Sequence, residues 1–384
     1  MKISRMAGAV EPSLARKLFN MTKQYTDVVD LTLGDPDLKP NQRIREAACE
    51  AVMAGKSRYS QNAGLADLRA AAGALFEKEY GQTVDPATEM IVTVGGMEAL
   101  FLSLACLIDD GDEVIIPAPY YVNYVQMVRM LGGVPVILYS TEAEGFHLDP
   151  AKVEAAVTDR TVAVIVNSPC NPTGEVLPKD VLERLAKIAV EKDLVVISDE
   201  VYKTLVYDGA THESIIREPG MRERTVLIDS LSKRFSMTGY RVGYAIAPAE
   251  LVANMVKMQE NVAACAPVPS QHAGICAYSE CADDPAMLET FTARRDFMYE
   301  AINAIPKLSC RKPAGTFYLF VNIEETGLEC LDFCYKLLEA VHVAVVPGIT
   351  YGKEYGHYVR IAFTHDVEVL REGAERIRRF AETL

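Results

Sequence analysis

The sequence predicts an α/β fold, with a mostly parallel sheet wrapped by helices and a smaller α+β domain beside it. Three observations carry that prediction. Between about residues 90 and 230, short apolar, β-branched runs alternate with longer helical segments, the pattern of strands joined by crossover helices. Past about residue 275 the texture changes to long helical stretches flanking short apolar segments. The chain has 384 residues and 49% hydrophobic content, enough for more than one core.

The elements follow in order. The first thirty or so residues carry little strand signal and are expected to pack as an arm. Residues 91–94 read as a strand and 98–107 as a helix. Residues 113–116 and 134–138 read as strands, with a helix over 121–131 between them. Residues 161–167 form a β-branched run. The segment 178–191 reads as a helix, with Asp180 and Glu183 early and Lys187 late, as the helix dipole favours. Buried strands are expected at 194–198 and 225–228. Beyond them come a long helix over 283–304 and short strands over 316–322 and 358–363. The expected division is a large domain over 35–280 and a small one over 1–34 and 281–384.

The formal net charge is -14, so the basic footprint of a nucleic-acid binder is absent and no such partner is expected. No apolar run is long enough to span a bilayer, so no membrane partner is expected. The first residues lack the apolar core of a signal peptide. Nine cysteines are scattered without a CxxC pair, which suits thiols in a reducing compartment and leads to the cytoplasm as the expected location. The six histidines show no HExxH, and Cys330 with Cys334 is most simply one helix face, so no metal is expected.

In an open parallel sheet, ligands bind beyond the carboxyl ends of the strands, so what each strand delivers there matters. The strand at 91–94 delivers Gly95-Gly96-Met97 and opens a helix, whose free amides suit an anion. No GxxxxGK[ST] and no GxGxxG after a first strand occurs, which counts against a generic nucleotide-binding or nicotinamide domain. The strand at 161–167 delivers "NSPCNPTG", where two prolines and a glycine fix Asn171 in a rigid loop. The strand at 194–198 delivers "SDEVY". Asp199 ends an apolar run and is costly to bury without a partner, and Tyr202 lies three positions on. The strand at 225–228 delivers Ser230, Ser232 and Lys233, with Arg241 eight residues beyond the lysine. Singly, these are an ordinary turn, a tight loop, a helix cap and a surface lysine. Together they suit a phosphorylated aromatic aldehyde with a ring nitrogen.

From about Leu31 to the C-terminus, the chain resembles the class I pyridoxal-phosphate-dependent aminotransferases of the aspartate aminotransferase fold. "NSPCNPTG", "SDEVY", "SLSKRFSMTGYRVGY" and "VRIAF" carry the resemblance. It implies that pyridoxal 5'-phosphate is the cofactor and that Lys233 forms the Schiff base with it, a lysine being a useful nucleophile once its site lowers its pKa. Asp199 would pair with the ring nitrogen and keep it protonated. Asn171 and Tyr202 would bond the ring oxygen, and Tyr121 would stack on the ring face. Ser230, Arg241 and the amides of Gly96 and Met97 would hold the phosphate. Tyr59 looks like the tyrosine that reaches a partner subunit's phosphate, which implies a homodimer with a shared site. Arg360 would grip the substrate's α-carboxylate with a bidentate fork, and Gly34 would lie against the substrate.

The expected reaction is transamination in two half-reactions, from an L-amino acid to a 2-oxo acid such as 2-oxoglutarate, with Lys233 moving the Cα proton. Some relatives that act on aspartate carry a lysine after the double glycine, where this chain has Met97. No lysine or arginine lies between Lys257 and Arg294, where another branch keeps one for a distal carboxylate. Apolar or aromatic donors are therefore expected over aspartate, although Arg16 and Lys17 are further cations. A C–S lyase or related eliminating enzyme on the same fold is the alternative. A cofactor-binding regulatory module is disfavoured by the intact catalytic apparatus.

Overall fold

The computed structural model describes residues 2–11, 14–281 and 283–384, without the side chains of Arg5, Ala9, Ala15, Arg16 and Phe19. Its strands, in chain order, are β1 (Val29–Asp30), β2 (Met90–Thr93), β3 (Glu113–Ala118), β4 (Val134–Tyr139), β5 (Thr161–Asn167), β6 (Val195–Asp199), β7 (Thr225–Ser230) and β8 (Gly243–Ile246). There follow β9 (Ser309–Cys310), β10 (Tyr318–Asn322), β11 (Val343–Ala344), β12 (Val346–Pro347) and β13 (Tyr358–Ala362). A seven-stranded sheet runs in the order β2-β8-β7-β6-β5-β3-β4. Its strands from β7 through β4 pair in parallel, while β8 runs antiparallel to both β7 and β2.

The central strands are apolar on both faces because helices cover both. Alternate residues serve different cores. Ile165, Ile197 and Val226 face one layer, while Val164, Val166 and Val196 face the other. On the second side lies the helix Lys179–Glu191, which buries Leu182, Leu185 and Ile188.

The strands expected from the β-branched runs are present, with ends shifted by one or two residues. β8 was not expected. It is a four-residue run that opens on Gly243, too short to show periodicity, and it is defined by its pairing with β2 and β7. The expected helix over 121–131 is shorter, Asn123–Met130.

Towards the C-terminus a four-stranded antiparallel sheet, β12-β13-β10-β9, packs with the helices Pro285–Asn303, Cys330–Val341 and Val367–Ala381 around a core of Phe291, Phe317, Phe333 and Phe363. β1 pairs in parallel with β11. The arm also touches the other side: the Glu11 amide donates to Gln126 at 3.1 Å and the Glu11 carboxylate meets Arg129 at 3.5 Å.

Candidate active site

The carboxyl ends of β2, β5, β6 and β7 open on a pocket of about 470 Å³, closed on the far side by residues of β10, β13 and the stretch Thr32-Leu33-Gly34. Gly34, Gly96, Met97, Tyr121, Asn171 and Asp199 all line it. So do Tyr202, Ser230, Lys233, Arg241 and Arg360. Of the residues expected at the site, Tyr59 alone stands elsewhere, 87% exposed on the surface.

Lys233 is placed by the turn that ends β7. The Ser230 hydroxyl accepts from the Ser232 amide at 3.2 Å and so caps the single turn Leu231–Arg234. Arg234 is anchored by both oxygens of Asp283, at 2.5 and 2.6 Å. Lys233 is turned into the pocket, where its Nζ donates to the Gly34 carbonyl at 2.6 Å. Burial pushes this amine down to about 8. Asp35 and Asp199 oppose the shift, and the guanidinium groups of Arg360 and Arg241 add to it. A lysine so placed is neutral far more often near neutral pH than an exposed one, as a nucleophile or proton acceptor requires.

Asp199 closes β6 and is buried. Its Oδ2 accepts from the Tyr124 hydroxyl at 2.5 Å, and its Oδ1 has no partner. Burial pushes the carboxyl up to about 6, with the Tyr124 hydroxyl and the Val201 amide pulling the other way. The Asn167 side chain ties two neighbours together. It donates to the Asp199 carbonyl at 3.0 Å and accepts from the Asn171 amide at 3.0 Å. Tyr202 lies in a turn, and its hydroxyl meets that of Tyr318 at 3.0 Å. The Tyr121 ring stands edge-on to Tyr124, and its hydroxyl donates to the Met97 sulfur at 3.5 Å.

At the opposite end of the pocket the helix Gly95–Ala105 begins, and its first amides have no partner within the helix. Arg241 closes over it in a left-handed conformation, φ 56°, held by a bond to the Thr238 carbonyl at 2.9 Å. A Cβ on Gly95 would lie 2.6 Å from an Arg241 nitrogen, so a glycine is needed for that approach. A helix start, a guanidinium and the hydroxyls of Ser230 and Ser232 lie at this end of the pocket, a donor set that suits an anion such as a phosphate.

Arg360 lies on β13, an inner strand flanked by β10 and β12, not on an edge. It is 6% exposed and, among the described residues, has no carboxylate partner. One guanidinium nitrogen donates to Asn171 Oδ1 at 3.0 Å, another to the Thr32 carbonyl, and Nε has none. The group stands over the Tyr318 ring at 4.2 Å. A buried cation without an anionic partner, standing in a pocket, suits a carboxylate.

Pyridoxal phosphate fits this donor set. The unpartnered Asp199 Oδ1 suits the ring nitrogen. Asn171 accepts from Arg360, so its N–H groups are left for a ligand oxygen. The anion-suited donors around Arg241, and Lys233, would match the phosphate and the aldehyde of the cofactor. Four contributors escaped the sequence reading: Tyr124, Asn167, Thr238 and Tyr318. Asn167 ends its apolar strand just as Asp199 ends the next, and Tyr124 stands one helical turn after Tyr121; these were the available signals. Of the further cations, Lys17 lies over the Tyr335 ring and does not line the pocket, and the Arg16 side chain lies outside the described residues.

The family of class I and II aminotransferases matches residues 26–377. The chain is 39% identical to the aspartate aminotransferase of Pyrococcus abyssi, across 99% of this chain and 98% of that one. It is 37% identical to aromatic-amino-acid aminotransferase 2 of Thermococcus litoralis, with 99% and 98% covered. The solved aspartate aminotransferase of Thermus thermophilus with maleate superimposes with a TM-score of 0.93 at 37% identity, covering 99% of this chain and all of that one. The chain belongs to the class I and II aminotransferase family and is a pyridoxal-phosphate-dependent transaminase.

Proposed function

We propose that the enzyme moves the amino group of L-amino acids with apolar or aromatic side chains to a 2-oxo acid such as 2-oxoglutarate. The observation that carries the reading is the charge inventory of the pocket. Among the described residues, its cations are Lys233, Arg241 and Arg360. The first serves the chemistry, the second the phosphate and the third the α-carboxylate. This chain leaves no cation for the second carboxylate of a short dicarboxylic donor such as aspartate, only neutral donors, while Tyr121, Tyr318 and Tyr351 supply apolar faces. Named relatives include both aspartate and aromatic transaminases, so kcat/KM for aspartate, leucine, methionine and phenylalanine tests the choice. An aspartate preference contradicts it. The lyase alternative has no support in these relatives.

When bound, the cofactor supplies an electrophilic carbon for the amino nitrogen and a protonated ring that draws electrons from the Cα–H bond. Arg360 holds the α-carboxylate and so fixes which Cα bond faces the ring. Asp199 Oδ1, which has no protein partner, would accept from the positive N–H of the ring. Lys233 Nζ would take the Cα proton and hold it for return to carbon. Tyr202, fixed by Tyr318, and Asn171, fixed by Arg360, orient the ring oxygen.

Two further assignments belong to this reading. The β1–β11 pairing supports a small domain built from 1–34 and 281–384 around a large domain over 35–280. The exposure of Tyr59, together with that of the nearby-in-sequence apolar side chains Val52 and Met53, supports a homodimer in which that tyrosine serves the partner's phosphate site. Sedimentation of the holoenzyme tests it, a fully active monomer being the contrary result. No helix among the described residues is long and apolar enough to cross a membrane.

A further inference from the structure

Three buried polar atoms in the pocket wall lack a partner: Asp199 Oδ1, Arg360 Nε and Thr350 Oγ1. The first two have their ligands in the cofactor ring and the α-carboxylate. The third has none. Thr350 is 7% exposed and sits on the short turn Gly348–Tyr351, directly after β12, whose Val346 is paired with Arg360. The Tyr351 carbonyl accepts from the Tyr120 amide at 3.1 Å, which holds this turn against the stretch that carries Tyr121 and Asn123. Asn123 also lines the pocket, and its amide donates to the Met97 sulfur at 3.5 Å, a weak acceptor.

A transaminase passes both substrates through one pocket. A dicarboxylic acceptor brings a second negative charge to the place where an apolar donor puts its side chain. A fixed arginine there would hold the acceptor but would be left desolvated and unpaired against the donor. A neutral hydroxyl is a compromise. It donates to a carboxylate when one arrives, and it costs far less than a cation when faced by an apolar group.

We infer that Thr350 is a specificity-determining residue whose hydroxyl donates to the distal carboxylate of the dicarboxylic 2-oxo acid acceptor. The assignment rests on the proposed donor and acceptor classes.

The test uses the holoenzyme and the variants Thr350→Val and Thr350→Ser. The dissociation constant of glutarate, a dicarboxylate that cannot react, is measured by calorimetry. Rates of the pyridoxamine-form enzyme with 2-oxoglutarate and with 4-methyl-2-oxopentanoate are measured alongside. A hydrogen bond to a charged group is worth enough that Thr350→Val should weaken glutarate and lower kcat/KM for 2-oxoglutarate by roughly tenfold or more, leaving 4-methyl-2-oxopentanoate within about twofold. Thr350→Ser, which keeps the hydroxyl, should stay close to the parent for both. Valine matches threonine in shape and removes an unpaired buried hydroxyl, so folding should hold, and the serine variant reports independently if it does not. Equal losses with both acceptors, or an unchanged affinity for glutarate, would overturn the assignment. Aspartate as the fastest donor of the parent enzyme would overturn the donor reading alone, because the acceptor ratio is measured separately.

Discussion

Replacing Asp199 by asparagine should stabilise the cofactor-free enzyme while weakening its hold on the cofactor. In the folded chain, burial raises the Asp199 carboxyl from 3.8 to about 6. A carboxyl raised in this way binds its proton more tightly folded than unfolded. It therefore costs stability as pH rises from about 4 through about 6, and the full cost stands above that. Each pH unit of displacement is worth about 1.4 kcal/mol, so ionised Asp199 destabilises the cofactor-free fold by about 3 kcal/mol. Asparagine cannot ionise, and its carbonyl can still accept from Tyr124. Over 384 residues, an unfolding entropy near 2 cal/mol/K per residue converts that gain to roughly 4 °C in Tm. Thermal melts of both proteins without cofactor, at pH 8 and at pH 4, measure it. The difference should be present at pH 8 and nearly gone at pH 4. An Asp199→Asn protein no more stable than its parent at pH 8, or a gain that persists unchanged at pH 4, would refute the reasoning.

Two other perturbations follow from the packing. A Cβ at Gly34 would fall 1.7 Å from the Tyr318 hydroxyl oxygen, so Gly34→Ala must displace a ring that braces both Tyr202 and Arg360. Displacements of about an ångström cost on the order of a hundredfold, and kcat/KM should fall accordingly, an unchanged value being the contrary result. Lys203 is buried against Asp229 at 2.8 Å and Glu79 at 2.9 Å, and Asp229 sits next to Ser230. Lys203→Met leaves Asp229 buried without its cation, which should cost about 3–5 kcal/mol by urea denaturation; adding Asp229→Asn should recover much of it, and a loss near zero would contradict the reading.

The residues legible in the sequence share one property. Asn171, Asp199 and Lys233 follow an apolar strand directly or within a few residues, and burial of the strand forces each polar group to the sheet's end. Arg360 breaks a short apolar run in the same conspicuous way. Tyr124 was not legible because its reason for being buried, Asp199, lies 75 residues away. Tyr318 is hidden likewise, in an apolar strand where a tyrosine looks like core, and its hydroxyl matters only once Tyr202 and Arg360 are beside it. Thr350 sits in a turn of four residues with no periodicity at all. β8 and the two-residue strands owe their existence to neighbours and not to local propensity, so no window of sequence contains their cause.

The central claim is that Lys233 bonds covalently to pyridoxal phosphate. Borohydride reduction of the holoenzyme followed by peptide mapping tests it most directly. The account predicts one phosphopyridoxyl group per chain, on the peptide that contains Lys233. A label on any other lysine, or a reduced holoenzyme with none, would contradict it.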